Sequence, residues 1–306
     1  MPRVHHVWDG RKNGHMLEVT ADAKERSRLS KEEWREFTKT VWHIANITDD
    51  LHPAVFSPEI PRRLIKLFSF CDERVLDPFA GVGTTARIAL ELERGALCVE
   101  QEPSYVERIW SDCGTDTNQL DVRLGDARDL KGIASNSIGL AITSPPYWNK
   151  ADYGDGAANL GNIESYPAFI RALRPAFAEV YRVLAPGRKF CLVTANVNQH
   201  TDHGLLTFPL ATDIVLLLRD LGFVLINEII WSKDGTGGKW GSWGKQRPIF
   251  GSYPYPPNFL FKNVHEYIII VAKPPTKRTS GKTVLPYAEL MEIDAHNGGR
   301  HSSNGH

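Results

Sequence analysis

Residues 77–85 read DPFAGVGTT and stand between a short apolar run, Arg74–Leu76, and a helical pattern over residues 84–93. A Gly-x-Gly turn between a strand and a helix lets the backbone approach a ligand closely, and the first turn of the helix adds free N–H donors. On this interpretation a side chain as large as Leu at Gly83 would occupy the ligand's place. The two glycines alone are also compatible with tight packing between the strand and the helix. Because Ala86 replaces the third glycine of a dinucleotide fingerprint and no Lys follows, the loop is neither that fingerprint nor a P-loop.

On either side of this loop, short apolar runs alternate with helical patterns. The predicted strands are Arg74–Leu76, Ala96–Glu100, Val122–Leu124, Ile138–Thr143, Phe190–Thr194, Val224–Trp231 and Tyr267–Ala272. Helical spacing is typical of Thr84–Glu93, Tyr166–Leu184 and Leu210–Leu221. Alternation of this kind predicts an α/β fold with a doubly wound, mostly parallel sheet. A loop rich in Gly, Pro and aromatic residues, rather than a clear helix, separates the last two runs, so we expect the last strand to be antiparallel.

The patterning divides the chain into three parts. Residues 1–50 form an N-terminal segment in which Ser30 and Glu33 match a capping box that opens a helix. The helix is predicted to carry one apolar face made of Trp34, Phe37, Val41 and Trp42. Residues 51–275 carry the alternating pattern and are the predicted main domain, with a further helix that could begin at Pro61. Residues 276–306 show little periodicity, and we expect them to form a flexible tail.

Charge is unevenly distributed along the chain. The 306 residues carry 36 Lys and Arg against 36 Asp and Glu, so the net charge is zero. Between Lys233 and Lys282, however, nine basic residues stand against two acidic ones, which gives this segment a charge of +7. A neutral protein can therefore still present one basic face of the kind that contacts nucleic acid.

Cysteine spacing and hydropathy argue against a zinc-binding, disulfide-rich, secreted or membrane-spanning protein. The four cysteines (Cys71, Cys98, Cys113 and Cys191) are far apart and form no CxxC pair, which argues against a zinc site or a disulfide framework. We expect buried thiols and no metal. No run approaches the roughly 20 apolar residues that span a bilayer, and residues 1–15 lack the apolar stretch of a signal peptide. The sequence therefore predicts a cytoplasmic protein with no membrane partner.

Two acidic residues follow the second and third predicted strands. Glu100 ends the second strand, 17 residues after Gly83, where a carboxylate can accept hydrogen bonds from both hydroxyls of a ribose. Asp126 follows the third strand and can accept from an adenine amino group. Together with Asp77 they make three acids at successive carboxyl ends of parallel strands, which line one crevice. Glu100 or Asp126 could instead be a surface acid or a helix cap. The placement of three acids at successive strand ends nevertheless favours a nucleoside site.

A second local motif follows the predicted strand Ile138–Thr143. Residues 143–148 read TSPPYW. The two prolines fix the backbone and remove two N–H donors, which leaves carbonyl oxygens free to accept hydrogen bonds. A rigid loop with a hydroxyl, an acceptor carbonyl and an adjacent aromatic ring suits a planar base that bears an amino group. A proline turn beside a core tyrosine is the simpler alternative for this motif taken alone.

Together, DPFAGVGTT and TSPPYW resemble the amino-methyltransferases of DNA, whose cofactor loop reads DPFxGxGTT and whose catalytic loop reads (D/N/S)PP(Y/F/W). The resemblance covers residues 30–273 and implies a class I methyltransferase fold, Rossmann-like, with a seven-stranded sheet whose last strand is antiparallel. It also implies S-adenosyl-L-methionine as the cofactor, double-stranded DNA as the partner, and no metal. Ser144 at the head of the tetrapeptide is similar to the cytosine-N4 members, whereas Asp is more usual in the adenine-N6 members.

The resemblance also implies roles for individual residues. The implied catalytic residues are Ser144, Pro145, Pro146 and Tyr147. The implied cofactor-binding residues are His52, Pro53, Phe56, Asp77, Phe79, Gly81, Gly83, Thr84, Thr85, Glu100 and Asp126. Segment 233–262 mixes basic and aromatic residues, as nucleic-acid contact loops do. Its predicted DNA-binding residues are Lys239, Trp240, Trp243, Lys245 and Arg247, although a solvated loop with core aromatics is the alternative.

One departure from the family concerns the order of the two halves. Cytosine-N4 enzymes often carry the catalytic half first, whereas here the cofactor half comes first. This order resembles a circular permutation, so residues 1–50, residues 233–262, or both could read the DNA sequence. The predicted function is site-specific methylation of the N4 amino group of a flipped cytosine. Adenine-N6 methylation, RNA methylation and a non-catalytic cofactor- or DNA-binding module remain open, as does a cognate restriction endonuclease within a restriction-modification system.

Overall fold

Strands and helices alternate along most of the chain. The computed structural model describes residues 19–45, 47, 56–114, 118–148, 159–233 and 263–275. The helices are α1 (Ala21–Arg26), α2 (Lys31–Phe37), α3 (Glu59–Phe68), α4 (Thr84–Glu91), α5 (Pro103–Cys113), α6 (Tyr166–Val183) and α7 (Leu210–Asp220), with a short 3₁₀ helix over Leu160–Asn162. The strands are β1 (Val41–His43), β2 (Arg74–Asp77), β3 (Gly95–Glu100), β4 (Leu120–Leu124), β5 (Ile138–Thr143), β6 (Leu184–Thr194), β7 (Val197–Thr201), β8 (Gly204–Phe208), β9 (Val224–Ser232) and β10 (His265–Ala272).

The main sheet has the strand order β1-β9-β10-β6-β5-β2-β3-β4. Every neighbouring pair is parallel except the two pairs made by β10, which runs antiparallel to both β6 and β9. This is the class I methyltransferase fold, which confirms the predicted α/β class, the mostly parallel sheet and the antiparallel last strand. Within the described ranges the sheet has eight strands rather than the expected seven, because β1 adds to the edge beside β9.

The additional strand, β1, comes from the predicted N-terminal segment. It pairs in parallel with the end of β9, with Val41 opposite Ile230. Trp42 is fully buried, and the Nε1 of Trp231 donates a hydrogen bond of 2.8 Å to the carbonyl oxygen of Ile44. Burial of large aromatic side chains stabilises a core strongly. Of these two indole N–H groups only that of Trp231 has a partner, because the buried Nε1 of Trp42 has none among the described residues. This part of the segment is therefore built into the sheet.

Helices cover both faces of the sheet because each inner strand buries side chains in two directions. In β6, Phe190 and Leu192 join one hydrophobic core, whereas Cys191 and Val193 join the other. The first core packs against α6 and α7, and the second packs against α3, α4 and α5. Both faces are thus closed. A ligand site in such a sheet forms at the carboxyl ends of the strands.

Local signals account for two helix starts but not for one insertion. The Ser30 hydroxyl accepts from the Glu33 N–H at 3.1 Å, and the Glu33 carboxylate accepts from the Ser30 N–H at 3.0 Å, so the predicted capping box is present. Helix α3 begins at Glu59, two residues before Pro61. A hairpin of β7 and β8 is inserted between β6 and α7, and it has no counterpart among the predicted strands.

Some predictions concern residues that lie outside the described part of the chain. These are the tail, 276–306, and nearly all of the predicted DNA-recognition segment, from 234 to 262. Across the described helices, none combines the length and the apolar character that crossing a membrane requires.

Candidate active site

The glycine loop, residues 78–83, connects β2 to α4. Gly81 and Gly83 have φ angles of +52° and +83°, in the left-handed region that residues with a Cβ rarely adopt. A Cβ on Gly83 would lie 2.7 Å from Cγ1 of Ile109 in α5. The backbone and the packing of α5 therefore require glycine at this position. A side chain at Gly83 would meet Ile109 first, so its steric cost falls on α5, and its effect on a bound ligand stays a prediction.

Asp77 ends β2 with a buried carboxylate. Its Oδ2 accepts a hydrogen bond of 2.6 Å from the Thr85 hydroxyl in α4, and its Oδ1 accepts one of 2.6 Å from the Thr143 hydroxyl in β5. The Phe79 N–H also donates to Oδ1, at 3.1 Å. Burial raises the pKa of Asp77 to about 6, even though these three hydrogen bonds favour the charged form. The carboxylate thus holds the glycine loop, the start of α4 and the end of β5 in one arrangement.

Glu100 ends β3, next to β2 in the sheet. Its Oε2 accepts a hydrogen bond of 2.7 Å from the Gly81 N–H. Its Oε1 accepts from the N–H groups of Gln101 and Glu102, at 2.8 and 3.0 Å. Burial raises the pKa of Glu100, while the three backbone donors favour its charged form. The structure therefore places this carboxylate beside the glycine loop, as predicted, with both oxygens oriented by the main chain.

Asp126 follows β4 and is held by Arg128. The guanidinium donates from Nη2 to Oδ2 at 2.5 Å and from Nε to Oδ1 at 2.9 Å, and the Arg128 N–H donates to Oδ1 at 2.8 Å. Partial burial opposes ionisation, but Arg128 holds the pKa of Asp126 below its ordinary value. The preceding residue, Gly125, donates its N–H to the carbonyl oxygen of Glu100 at 2.8 Å. Asp126 is therefore a second ionised acceptor on the turn that adjoins Glu100.

These acceptors fit the cofactor that the two motifs imply. S-adenosyl-L-methionine is the cofactor of this class of methyltransferase, and its ribose hydroxyls and adenine amino group are hydrogen-bond donors. Glu100 and Asp126 supply carboxylates, which act only as acceptors while they are ionised. Thr84, the half-buried first residue of α4, follows the glycine loop directly and begins the helical turn whose N–H groups have no partner within the helix. The donor and acceptor chemistry of this edge therefore matches the cofactor.

The loop Ser144–Tyr147, which we call the catalytic loop after its predicted role, leaves the carboxyl end of β5. Thr143, immediately before the loop, is fully buried and is tied to Asp77. Within the loop Pro145 is buried, and the other three residues are half-buried. Because β5 and β2 are parallel neighbours, their carboxyl ends bring this loop next to the glycine loop. The two sequence motifs therefore share one edge of the sheet.

Trp148, which was not among the predicted site residues, anchors the far end of the catalytic loop. It is buried, and its Nε1 donates a hydrogen bond of 2.8 Å to the carbonyl oxygen of Ile163. Its ring makes edge contacts with Tyr166 and Phe208, with ring centroids 5.0 and 4.6 Å away. Aromatic pairs at these distances add to the stabilisation from burial alone. The loop is thus fixed at both ends, by a hydrogen bond at Thr143 and by packing at Trp148.

Tyr147 has a polar partner that no sequence signal indicated. Its hydroxyl donates a hydrogen bond of 3.0 Å to Oε2 of Glu266, which lies in β10 and is 9% exposed. The other oxygen of Glu266 accepts from the ammonium of Lys233, which follows directly after β9. Tyr147 and Glu266 are 119 positions apart, so only the order of strands in the sheet brings them together.

The remaining predicted site residues fall into two groups. Phe79 is half-buried against the core that includes α6 and α7, whereas Phe56 is half-buried against the core that includes α3, α4 and α5. The predicted residues that lie outside the described chain are His52, Pro53, Lys239, Trp240, Trp243, Lys245 and Arg247.

Three of the four cysteines, Cys98, Cys113 and Cys191, are poorly suited to act as nucleophiles. Cys98 and Cys191 are fully buried, and burial raises the pKa of both thiols. Burial also raises the pKa of Cys113, to about 11. Among the residues with described positions, no group of three or more His, Cys, Asp or Glu is arranged to hold a metal ion. The described groups at this edge include hydroxyl, carbonyl and carboxylate acceptors beside an aromatic ring.

Comparison with known proteins identifies one matching family and several relatives. Residues 7–111 and 138–301 match the family model of the DNA methylases of the N6/N4 type. The Type II methyltransferase M.BglI of Bacillus subtilis is 41% identical over 85 residues, which cover 27% of this chain and 24% of that protein. The Type II methyltransferase M.MjaI of Methanocaldococcus jannaschii is 26% identical over 194 residues, which cover 56% of this chain and 61% of that protein.

Among solved structures, TTHA0409 from Thermus thermophilus, crystallised with S-adenosyl-L-methionine, is 32% identical with a TM-score of 0.38, over 55% of this chain and 63% of that chain. The chain spans less than two thirds of the length of each of these three relatives. The family model, in contrast, covers most of this chain and includes both the glycine loop and the catalytic loop. The chain therefore belongs to the N6/N4 family of DNA methylases.

Proposed function

We propose that this chain is a site-specific DNA methyltransferase that transfers a methyl group from S-adenosyl-L-methionine to the N4 amino group of a cytosine. The observation that carries the proposal is the hydrogen bond of 2.6 Å between Thr143 and Asp77, which joins the catalytic loop to the glycine loop. A cofactor bound by the glycine loop, Glu100 and Asp126 would lie beside the catalytic loop. Membership of the DNA methylase family supports an amino group of DNA as the acceptor.

The polar groups of the catalytic loop suit an amino group that is a poor nucleophile. The lone pair of the cytosine amino nitrogen is delocalised into the ring, which weakens its attack. The Ser144 hydroxyl and the Pro145 carbonyl oxygen accept hydrogen bonds from the two amino hydrogens and favour a more pyramidal, electron-rich nitrogen. When bound, S-adenosyl-L-methionine supplies an electrophilic methyl group on a positively charged sulfur. The anchors at Thr143 and Trp148 keep the loop rigid, which preserves the rate gain from proximity.

Tyr147 is assigned to stack on the target base. The base must leave the duplex to reach the loop, and unstacking costs a few kcal/mol. Stacking on an aromatic side chain offsets this with about 1–3 kcal/mol. Pro146 fixes the backbone directly before Tyr147, which limits the positions that the ring can take.

The DNA phosphates are assigned to Lys239, Lys245 and Arg247, with Trp240 and Trp243 as aromatic contacts. Phosphate contacts fix position and carry no sequence information. Neutralising one of the three basic residues should therefore weaken binding to every DNA sequence. It should also reduce the salt slope, which is the slope of the logarithm of the binding constant against the logarithm of the salt concentration, by about one unit. Tyr147→Ala should leave the slope unchanged, because stacking releases no counterions. Binding titrations across salt concentrations separate the two effects, and the reverse pattern would contradict this placement of the DNA.

The assignment to cytosine N4 rests on Ser144 at the head of the tetrapeptide. It is tested by mass spectrometry of the nucleosides from a host that expresses the protein. N4-methylcytosine in the DNA is expected, and it should disappear with Ser144→Ala. Ser165→Ala is the matched control, since Ser165 makes no side-chain capping hydrogen bond at the start of α6.

The same digest distinguishes the alternatives. N6-methyladenine alone would identify an adenine-N6 enzyme, and modification confined to the RNA fraction would identify an RNA methyltransferase. Binding of S-adenosyl-L-methionine by the purified protein without any modified nucleoside would indicate a non-catalytic module.

A cognate restriction endonuclease is a further part of the proposal, because the relatives M.BglI and M.MjaI are Type II methyltransferases. Residues 1–50, residues 233–262, or both are proposed to read the recognition sequence. Mapping the modified positions in host DNA gives that sequence. Replacing either segment with the corresponding segment of a relative should then change the recognition sequence.

A further inference from the structure

The hydroxyl of Tyr147 donates its hydrogen bond to a member of a buried ion pair, Lys233 and Glu266. Glu266 accepts the Tyr147 hydrogen bond on Oε2 and the Lys233 ammonium on Oε1. The side chains of Lys233 and Glu266 are only 10% and 12% exposed. Removing two charges from water is unfavourable, and such a pair is often no more stabilising than apolar residues of similar volume. Stability alone therefore does not explain why this pair is located beside the catalytic loop.

Lys233 is itself held rigidly. Its backbone N–H donates to the carbonyl oxygen of Val264 at 2.8 Å, which ties the end of β9 to the start of β10. Its ammonium also lies 4.3 Å from the centre of the Trp231 ring, within the range of a cation–π contact. Trp231 and Glu266 are paired across β9 and β10 in the sheet register. The carboxylate that receives the Tyr147 hydroxyl is therefore fixed by two strands of the main sheet.

From this geometry we propose that Glu266 and Lys233 are positioning residues, which fix the ring plane of Tyr147 for stacking against the target base. A tyrosine on a loop can rotate about its side-chain bonds, and a second attachment at the hydroxyl removes much of that freedom. The ion pair holds Glu266 so that one oxygen stays directed at Tyr147. The inference rests on the proposed function, since it assigns the ring a base to stack on.

Three sets of variants test the proposal. Tyr147→Phe removes the hydroxyl and keeps the ring. The double substitution Lys233→Met with Glu266→Leu removes the ion pair without leaving either charge buried and unpaired, so the fold should be retained. The triple variant combines them. The matched control is Arg188→Met with Glu73→Leu, which removes a similarly buried ion pair at the amino end of β2, where its side chains are 17% and 7% exposed.

The measurements are kcat and KM for methyl transfer to DNA, together with the affinity for S-adenosyl-L-methionine. Tyr147→Phe and the Lys233/Glu266 double variant should each lower kcat roughly 10- to 150-fold, the size expected when a hydrogen bond to a charged group is lost. Cofactor affinity should stay within about twofold. The triple variant should be no slower than the slower of its parents, because both changes remove one contact. The control should keep the wild-type kcat.

The outcomes separate this inference from the proposed function. An active wild-type enzyme whose variants keep the wild-type kcat overturns the positioning role alone. Equal losses of kcat and cofactor affinity, or additive losses in the triple variant, also overturn it, because they indicate a general structural effect. A wild-type protein that methylates neither DNA nor RNA overturns both proposals.

Discussion

The Thr143 hydroxyl donates a hydrogen bond of 2.6 Å to Oδ1 of Asp77, and this contact links the last residues of two neighbouring parallel strands. The glycine loop begins after Asp77, and the catalytic loop begins after Thr143. Because both side chains are buried, no water competes for the contact. The parallel pairing of β2 and β5 brings the two loops together, and this buried hydrogen bond joins the residues from which they start.

Thr143→Val should destabilise the protein and slow methyl transfer. The substitution keeps the shape of the side chain but removes the donor to a buried carboxylate, which should lower the free energy of unfolding by about 1–3 kcal/mol. Thr194→Val is the matched control, because the buried Thr194 hydroxyl has no hydrogen-bond partner among the described residues. Denaturant unfolding of both variants gives the comparison. Equal losses in the two would mean that the contact with Asp77 contributes nothing specific.

Asp77 should make the folded state less stable as the pH rises. Its pKa is about 6 in the folded protein against an ordinary 3.8. The folded state thus binds this proton more tightly than the unfolded chain, so the stabilising contribution is complete below pH 3.8 and is lost as the pH rises through about 6. The full change is on the order of 3 kcal/mol.

Asp77→Asn removes this titration while it keeps the size of the side chain. The unfolding free energy of the wild type minus that of Asp77→Asn should therefore fall between about pH 4 and about pH 7. Denaturant titrations at several pH values measure the difference, in which the other titrating groups largely cancel. A difference that stays flat or rises with pH would contradict the raised pKa.

Gly83→Ala should reduce both stability and cofactor affinity. Alanine must adopt the left-handed φ of +83°, which costs roughly 1–2 kcal/mol, and its Cβ would lie 2.7 Å from Ile109. Gly187→Ala is the control, because Gly187 has a φ of +81° and a Cβ there would meet no atom within 4 Å. Unfolding and calorimetric titration with S-adenosyl-L-methionine should show a larger loss for Gly83→Ala. A matching loss in the control would assign the whole effect to the backbone.

Glu100→Gln should weaken the binding of S-adenosyl-L-methionine. The amide would lose the charge, and one of its two polar atoms would become a donor facing backbone N–H groups that need an acceptor. Loss of hydrogen bonds to a charged group predicts about 10- to 150-fold weaker binding. Glu102→Gln serves as the control, since Glu102 caps α5 through one oxygen, which the amide retains. Calorimetry that finds the wild-type affinity in Glu100→Gln would remove Glu100 from the cofactor site.

The parts of the fold that were predicted are those whose signals are local. Strand β5 has the predicted bounds, Ile138–Thr143, because a strand buried on both faces is a short apolar run. Strand β6 begins at Leu184, six residues before the predicted start, since Pro186 and Gly187 are typical of a turn.

Strand β1 was missed because Val41 and Trp42 continue the helical spacing of Trp34 and Phe37, which predicted a helix through them. That prediction is wrong, since α2 ends at Phe37 and Val41–His43 form a strand.

In the candidate site, too, the features that depend on local sequence were predicted and those that depend on distant parts of the fold were not. Glu100 lies beside the glycine loop as expected, because strand ends in a parallel sheet converge on one edge. The contact of Tyr147 with Glu266 could not be predicted, since it requires the sheet order that places β10 beside β6. The reason for glycine at position 83 was also hidden, because Ile109 belongs to a different helix.

The pairing of β1 with β9 has a consequence for the order of events during synthesis. The contact between Trp231 and Ile44 joins residues 187 positions apart. At about 5–20 residues per second, the ribosome makes β9 roughly 10–40 s after β1. During that interval Trp42, which is fully buried in the folded protein, has no β9 to pack against. Of the described strands, β1 is translated first, yet it cannot take its place in the sheet until β9 has also been made.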